Sequence, residues 1–180
     1  MPLTRAKQLV ERFDEAVDRK VERLRGHRAL DKVMYGASEL GDWSLIWQVI
    51  SVGQGLLPGR DPMTAVRMSA ILAAESLLVN GGIKNAFQRQ RPDWETDRPR
   101  PHPIRIPQTS SFPSGHASAA FTAAGVLSQG DPLWPLYYGI AAIVASSRVY
   151  VKMHHASDVV AGAALGIGIA ALARRAWPKP

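Results

Sequence analysis

Cysteine is missing from all 180 residues, which excludes disulfides, thiolate metal sites and a cysteine nucleophile. Aromatic residues are scarce, at 7%, and the basic side chains are not interleaved with them in any recognisable module, so the formal charge of +7 is not read as a sign of a nucleic-acid partner. The opening stretch MPLTRAKQLVERFDEAVDRK lacks the apolar run of a signal peptide; a membrane address would have to come from the chain's own spans. The mean hydropathy of -0.09 conceals a segregation. Nine of the 22 Lys and Arg side chains fall in the first forty residues, and the later segments are correspondingly apolar. A basic balance suits an anionic membrane surface or a phosphorylated substrate, and it also suits the cytoplasm-facing bias of a membrane protein.

What is present is helical periodicity. Leu3, Ala6, Val10, Phe13, Val17, Val21 and Leu24 recur at helical spacing with charges between them, which predicts an amphipathic helix over 3–25. It has three possible placements: on the membrane surface, packed on the domain, or paired with a second copy as a homo-oligomer. Residues 1–40 read as this helix and a connector, and residues 41–175 as a membrane domain. Five apolar segments follow, at 43–58, 63–83, 115–130, 133–151 and 157–173. A span needs about 20 mostly apolar residues, within about 17–25; the second, fourth and fifth segments meet that length, and the first and third are short. Breakers lie at 58–62 and 130–132. The expected fold is all-α, an integral-membrane bundle of about five spans plus the N-terminal helix. A soluble all-α protein is the competing reading, and it leaves too little polar surface to cover these segments. Arg67 and Glu75 sit inside the second segment and are expected to face the bundle interior. The Gly/Ala-rich fifth segment should let its neighbours approach closely. The stretch 93–112 reads as a long irregular loop.

Three clusters carry chemistry. Lys84 and Arg91 are seven residues apart, so on a helix they share a face about 10 Å apart along its axis, and Pro92 then ends that helix. Pro113-Ser114-Gly115-His116 precedes an apolar helix: Ser114 is a natural N-cap, and the free N–H groups behind it form an anion site beside His116. Arg148 ends the fourth segment and His154 and Asp158 open the fifth. If that turn is helical, His154 and Asp158 are one turn apart and can hydrogen-bond, which would fix the tautomer of a nucleophilic imidazole. Each cluster alone also fits a plain interface anchor, helix cap or loop tether. With alternating spans, however, all three reach one membrane face.

Together the clusters resemble the type-2 phosphatidic acid phosphatase superfamily, whose signature is Lys-x6-Arg-Pro, then Pro-Ser-Gly-His, then Ser-Arg-x5-His-x3-Asp. Lys84 to Arg91-Pro92, Pro113 to His116, and Ser147-Arg148 to His154 to Asp158 match it without a gap. The resemblance implies a phosphohydrolase without metal or other cofactor. In it His154 attacks phosphorus, Asp158 orients His154, and His116 protonates the leaving oxygen. Lys84, Arg91, Arg148 and the Ser114–Gly115 backbone hold the phosphoryl oxygens. It further implies a multi-pass protein of the cell membrane and a lipid phosphate substrate: a prenyl-linked or glycerolipid phosphate, or a polyprenyl-phosphoryl sugar phosphate of cell-envelope synthesis. His155-Ala156 stands where many members carry an aromatic and a proline, and five spans are fewer than the six usual in larger relatives. A vanadate-dependent peroxidase shares the same anion pocket. A metal site of His102, His116, His154 and Asp158 is opposed by the three surrounding cations, and a basic surface module leaves the His–Asp–Arg clustering unexplained. The basic N-terminal segment and the 84–112 loop place the active-site face on the cytoplasmic side.

Overall fold

The computed structural model of the chain describes residues 2–93 and 107–178. His102, Lys179 and most of the expected irregular loop lie outside the described residues. Among those residues all regular structure is helical. The helices are α1 (Pro2–Glu22), α2 (Arg28–Gly41), α3 (Leu45–Gly55), α4 (Thr64–Ser76), α5 (Gly115–Leu127), α6 (Trp134–Tyr150) and α7 (Ala156–Ala176). Glycines at left-handed φ make the breaks between several of them: Gly26 separates α1 from α2 and Gly130 separates α5 from α6, with φ of 85° and 67°. α4 does not end at Ser76. It runs on through a π-helical turn, Leu77–Gly82, and a 3₁₀ turn, Ile83–Ala86.

The connector expected before residue 41 is itself the helix α2. Its inward stripe is Asp31, Tyr35, Ser38 and Gly41, at spacings of three and four that place them on one face. Half of that stripe is polar, so hydrophobic periodicity does not mark it.

α5 is the centre of the bundle, packed against α4, α6 and α7, with Ala117, Ala120, Ala123, Ala124 and Leu127 fully buried. α7 meets it along a seam of small residues. A Cβ on Gly162 would collide with the Ser114 carbonyl, and one on Gly166 with the Ser118 carbonyl. The Thr122 hydroxyl donates to the Gly166 carbonyl across the seam at 3.2 Å. The close approach expected of the fifth segment is therefore made through two glycines one turn apart.

Helices occupy all five apolar segments. Thr64–Ala86 and Ala156–Ala176 are long and apolar enough to cross a bilayer, with mean hydropathy 1.2 and 1.8. Only 33% and 28% of these windows is buried, unlike the core helix of a soluble protein. Leu77, Leu78, Val160, Ile167 and Leu172 lie on their exposed surface. α6, with 17 residues, is at the lower bound for a span, and α3 and α5 are shorter. Arg67 and Glu75 face inward as expected, at 3% and 2% exposure.

α1 lies across one end of the bundle. Arg25, just beyond it, donates to the carbonyls of Val149 and Tyr150 at the end of α6 (2.9 and 2.7 Å), and Asp14 reaches the start of α7. The helix packs on the domain, one of its three expected placements, and leaves Leu9, Val10 and Phe13 exposed.

Candidate active site

Ser114 is the N-cap of α5: its backbone is extended and its hydroxyl accepts from the Ala117 N–H at 3.4 Å. Gly115 and His116 therefore occupy the first turn, where N–H groups lack helical partners and attract an anion. Lys84 comes to the same point from the end of the α4 run. Its Nζ stands 3.5 Å, and Asn80 Oδ1 2.9 Å, from where a Cβ on Gly115 would sit. A glycine is what lets those side chains close on the helix end.

The helix expected from Lys84 to Arg91 does not form. It stops at Ala86, and Phe87 is extended. Pro92 disfavours helical backbone at Arg91, and residues 87–93 pair instead with residues 107–112. The Ser111 N–H donates to the Arg89 carbonyl at 2.9 Å, the Ser111 hydroxyl to the Gln90 carbonyl at 3.0 Å, and Phe87 packs edge-on against Phe112. Arg91 still arrives at the site. Its guanidinium donates to the carbonyls of Met153 (2.8 Å), Pro107 (3.1 Å) and Thr109 (3.2 Å), and Nη1 lies 3.4 Å from His154 Nε2. A cavity of about 830 Å³ opens beside Lys84, Phe87, Arg89, Arg91 and Ser110.

His154 sits in the tight turn between α6 and α7. The Met153 and His154 N–H groups both donate to the Arg148 carbonyl, at 3.0 and 3.1 Å. Its Nδ1 lies 2.7 Å from the Ser111 carbonyl. A carbonyl only accepts, so Nδ1 carries the proton and Nε2 presents its lone pair. Burial pushes this imidazole down to about 3, and the charges of Arg148 and Arg91 push the same way against the pull of Asp158. The expected hydrogen bond from His154 to Asp158 is not made: Asp158 Oδ2 is 3.7 Å from Nδ1, too far for one. The reason is local. α7 begins at Ala156 with His155 as N-cap, so His154 lies outside the helix and one-turn spacing does not apply. Asp158, at the third position of α7, accepts from the His155 N–H at 2.9 Å and from Arg89 Nη1 at 2.6 Å.

His116 has a partner that no motif marks. Its Nε2 is 2.8 Å from Asp42 Oδ1, and its ring lies so close to Gly41 that a Cβ there would stand 2.8 Å from Cδ2. The hydrogen bond with His116 leads in holding the Asp42 carboxyl below its usual range, aided by the charges of His116 and Arg148 against desolvation. Trp43 and Ser44 follow Asp42 with left-handed φ of 55° and 57°, a costly backbone found preferentially at functional sites.

Arg148 is buried, at 3% exposure. It donates one bond to the Ser38 hydroxyl, and its Nε has no hydrogen-bond partner among the described residues. A buried guanidinium N–H left unmet calls for an acceptor. Lys84, Arg91, Arg148 and Asp158 lie within reach of one another's charge, and both His116 and His154 sense Arg148. All eight motif residues, Lys84, Arg91, Ser114, Gly115, His116, Arg148, His154 and Asp158, thus gather at one end of the bundle. Asp42, Asp14, Arg89 and the Ser111 carbonyl join them without a signature in the sequence.

An all-helical bundle of membrane type, carrying three cations, two imidazoles and a helix N-terminus at one rim, defines a phosphate-ester hydrolase. The family model described as the PAP2 superfamily matches residues 64–180, and the chain belongs to that superfamily. Over 143 residues it is 31% identical to the decaprenylphosphoryl-5-phosphoribose phosphatase of Mycobacterium tuberculosis, a match covering 76% of this chain and 75% of that protein. Phosphatidylglycerophosphatase B of Bacillus subtilis is 29% identical over 171 residues, covering 88% and 80%. The crystal structure of a transmembrane PAP2 type phosphatidylglycerolphosphate phosphatase from Bacillus subtilis superposes with a TM-score of 0.70 at 26% identity, covering 93% of this chain and 85% of that one.

Proposed function

We propose that this chain is a multi-pass membrane phosphatase that releases inorganic phosphate from a lipid phosphate through a phosphohistidine. The observation that carries this reading is the state of His154: its Nδ1 is tied to the Ser111 carbonyl, and its Nε2 lone pair is turned toward the Arg91 guanidinium, in a long contact of 3.4 Å. Nε2 attacks phosphorus, the new N–P bond forms, and the P–O bond to the lipid breaks. Burial, with the charges of Arg148 and Lys84, lowers the His116 imidazole, and the hydrogen bond to Asp42 works against them; in its protonated form His116 gives its proton to the leaving oxygen. Water then attacks the phosphohistidine, His116 takes a proton from it, the N–P bond breaks and phosphate leaves. The transition state spreads negative charge over the equatorial oxygens. Lys84, Arg91, Arg148 and the first-turn N–H groups of α5 are the preorganised donors for that charge. They also supply the charge neutralisation for which many phosphatases recruit a divalent ion, so activity is expected to survive EDTA.

The setting supports a substrate class. The site lies at the rim of a bundle with lipid-facing helices, so the ester is presented from a bilayer. Relatives named for a decaprenylphosphoryl sugar phosphate and for phosphatidylglycerophosphate support two candidates, a prenyl-linked sugar phosphate and a glycerolipid phosphate. Purified full-length protein in detergent, given a panel of prenyl and glycerolipid phosphates with EDTA present, should release phosphate from at least one of them. His154→Ala should release none, and vanadate should inhibit. Release by His154→Ala at the wild-type rate would overturn the mechanism, and activation by vanadate with peroxide would favour a peroxidase.

A further inference from the structure

Arg89 belongs to no part of the signature, yet it is bonded to two residues beside His154, to Asp158 through its side chain and to Ser111 through its backbone. Its side chain bridges two carboxylates: Nη1 donates to Asp158 Oδ1 and Nη2 to Asp14 Oδ2, each at 2.6 Å. Its Nη1 also donates to the Ser157 hydroxyl at 2.7 Å. Its backbone carbonyl accepts from the Ser111 N–H at 2.9 Å, and Ser111 is the residue whose carbonyl fixes His154 Nδ1. Asp14 comes from α1, 75 residues away in sequence, and completes the ring. It accepts from the Ser157 N–H with Oδ1 and from the Ser157 hydroxyl with Oδ2, both at 2.8 Å. It thereby caps, from another helix, a free N–H in the first turn of α7. The two carboxylates are 6% and 0% exposed, so this is not a solvated surface pair of negligible worth. Removing one member leaves a buried charge unpaired.

Arg89 is also distinct from the three cations assigned to phosphate. Its head group is occupied by Asp14, Ser157 and Asp158, and among the described residues it makes no hydrogen bond to His154 or His116. It takes Asp158 Oδ1, which leaves Oδ2 facing His154 Nδ1 at 3.7 Å. We infer that Arg89 is a positioning residue, that Asp14 locks it against Asp158, and that the N-terminal helix is thereby a working part of the catalytic centre. This inference rests on the phosphohistidine reading.

The test is a double-mutant cycle in the full-length protein, assayed with whichever lipid phosphate the wild type hydrolyses fastest. Asp14→Asn and Arg89→Gln should each lower kcat by about tenfold to a hundredfold, the usual range for outer supports of a reactive group, with KM changed less than about threefold. In the double variant the losses should not multiply. Arg89→Lys should recover only part of the rate, because an ammonium lacks the planar fork that spans two carboxylates. Asp14→Asn is nearly isosteric and guards against a misfolded Arg89 variant, and melting temperature in detergent reports folding separately. The inference is overturned by single variants with wild-type kcat, by losses that multiply, by a loss confined to KM, or by a lowered melting temperature at unchanged kcat. If wild type releases phosphate, any of these outcomes leaves the phosphatase reading standing. A wild type inert on every lipid phosphate removes both.

Discussion

His154 and Asp158 behave differently from a catalytic pair joined by a hydrogen bond. The Ser111 carbonyl, not the carboxylate, selects the tautomer, so Asp158→Asn should leave the reactive nitrogen in place. A substitution that flips the tautomer in a Ser-His-Asp enzyme costs about 10⁴ in kcat. Here a loss of about tenfold to a hundredfold is expected in steady-state kinetics, reflecting lost charge stabilisation and lost bonds to Arg89 and the His155 N–H. The imidazole itself, pushed down to about 3 by burial, should be neutral at pH 5. Histidine-labelled ¹⁵N spectra should therefore show one of the five imidazoles, the one missing from His154→Ala, still unprotonated there. The sign for stability follows. The unfolded imidazole takes a proton near its ordinary value of about 6.5 and the folded one does not, so this residue favours unfolding increasingly as pH falls from about 6.5 towards 3. The role given to His116 has its own signature. His116→Ala should sharply slow hydrolysis of an alkyl lipid phosphate and largely spare p-nitrophenyl phosphate, whose leaving group needs no proton. Equal losses on both substrates would remove the general-acid assignment.

At the scale of the helices, the seam between α5 and α7 is what sets the site. Ser114 and Gly162 meet directly, and Asp158 lies one turn before Gly162, so the spacing of these helices fixes the distance between the N-terminus of α5 and the His154 turn. Gly162→Ala should force the two backbones apart and destabilise by roughly 1–3 kcal/mol, as overpacking does, read as a lower melting temperature in detergent. Gly168 on the same helix has open space at its Cβ position. Gly168→Ala should be neutral or stabilising by up to about 1 kcal/mol from helix propensity, and equal destabilisation by both would refute the seam. Helices were legible where apolar residues cluster, which is why α3, α4, α5, α6 and α7 fall on the five expected segments. They were not legible at α2, where Asp31 and Ser38 share the inward face with Tyr35. Nor was the end of α4 legible: residues that favour a helix through 84–91 yield to pairing with residues 107–112, a contact across 21 positions.

For the whole molecule, α1 lies on the site-bearing end and the tail with Arg174 and Arg175 on the other. From the excess of Lys and Arg in the first forty residues we propose that the site faces the cytoplasm. The chain has no cysteine, so cysteines placed singly at positions 2 and 178 can be labelled without background. In intact cells an impermeant maleimide should reach position 178 and not position 2. The reverse pattern would turn the protein over and move its substrate to the outer leaflet.

The residues alone determined the family and the enzyme class. Reactive types at signature spacings, and apolar runs long enough to be helices, are local properties that the sequence states directly. Only the tertiary structure decided who supports whom. The partners of His154, His116 and Asp158 are a backbone carbonyl 43 residues away, a carboxylate 74 away and an arginine 69 away. A carbonyl is common to every residue and so leaves no mark in a sequence. A distant carboxylate becomes a partner only when packing brings two helix ends together.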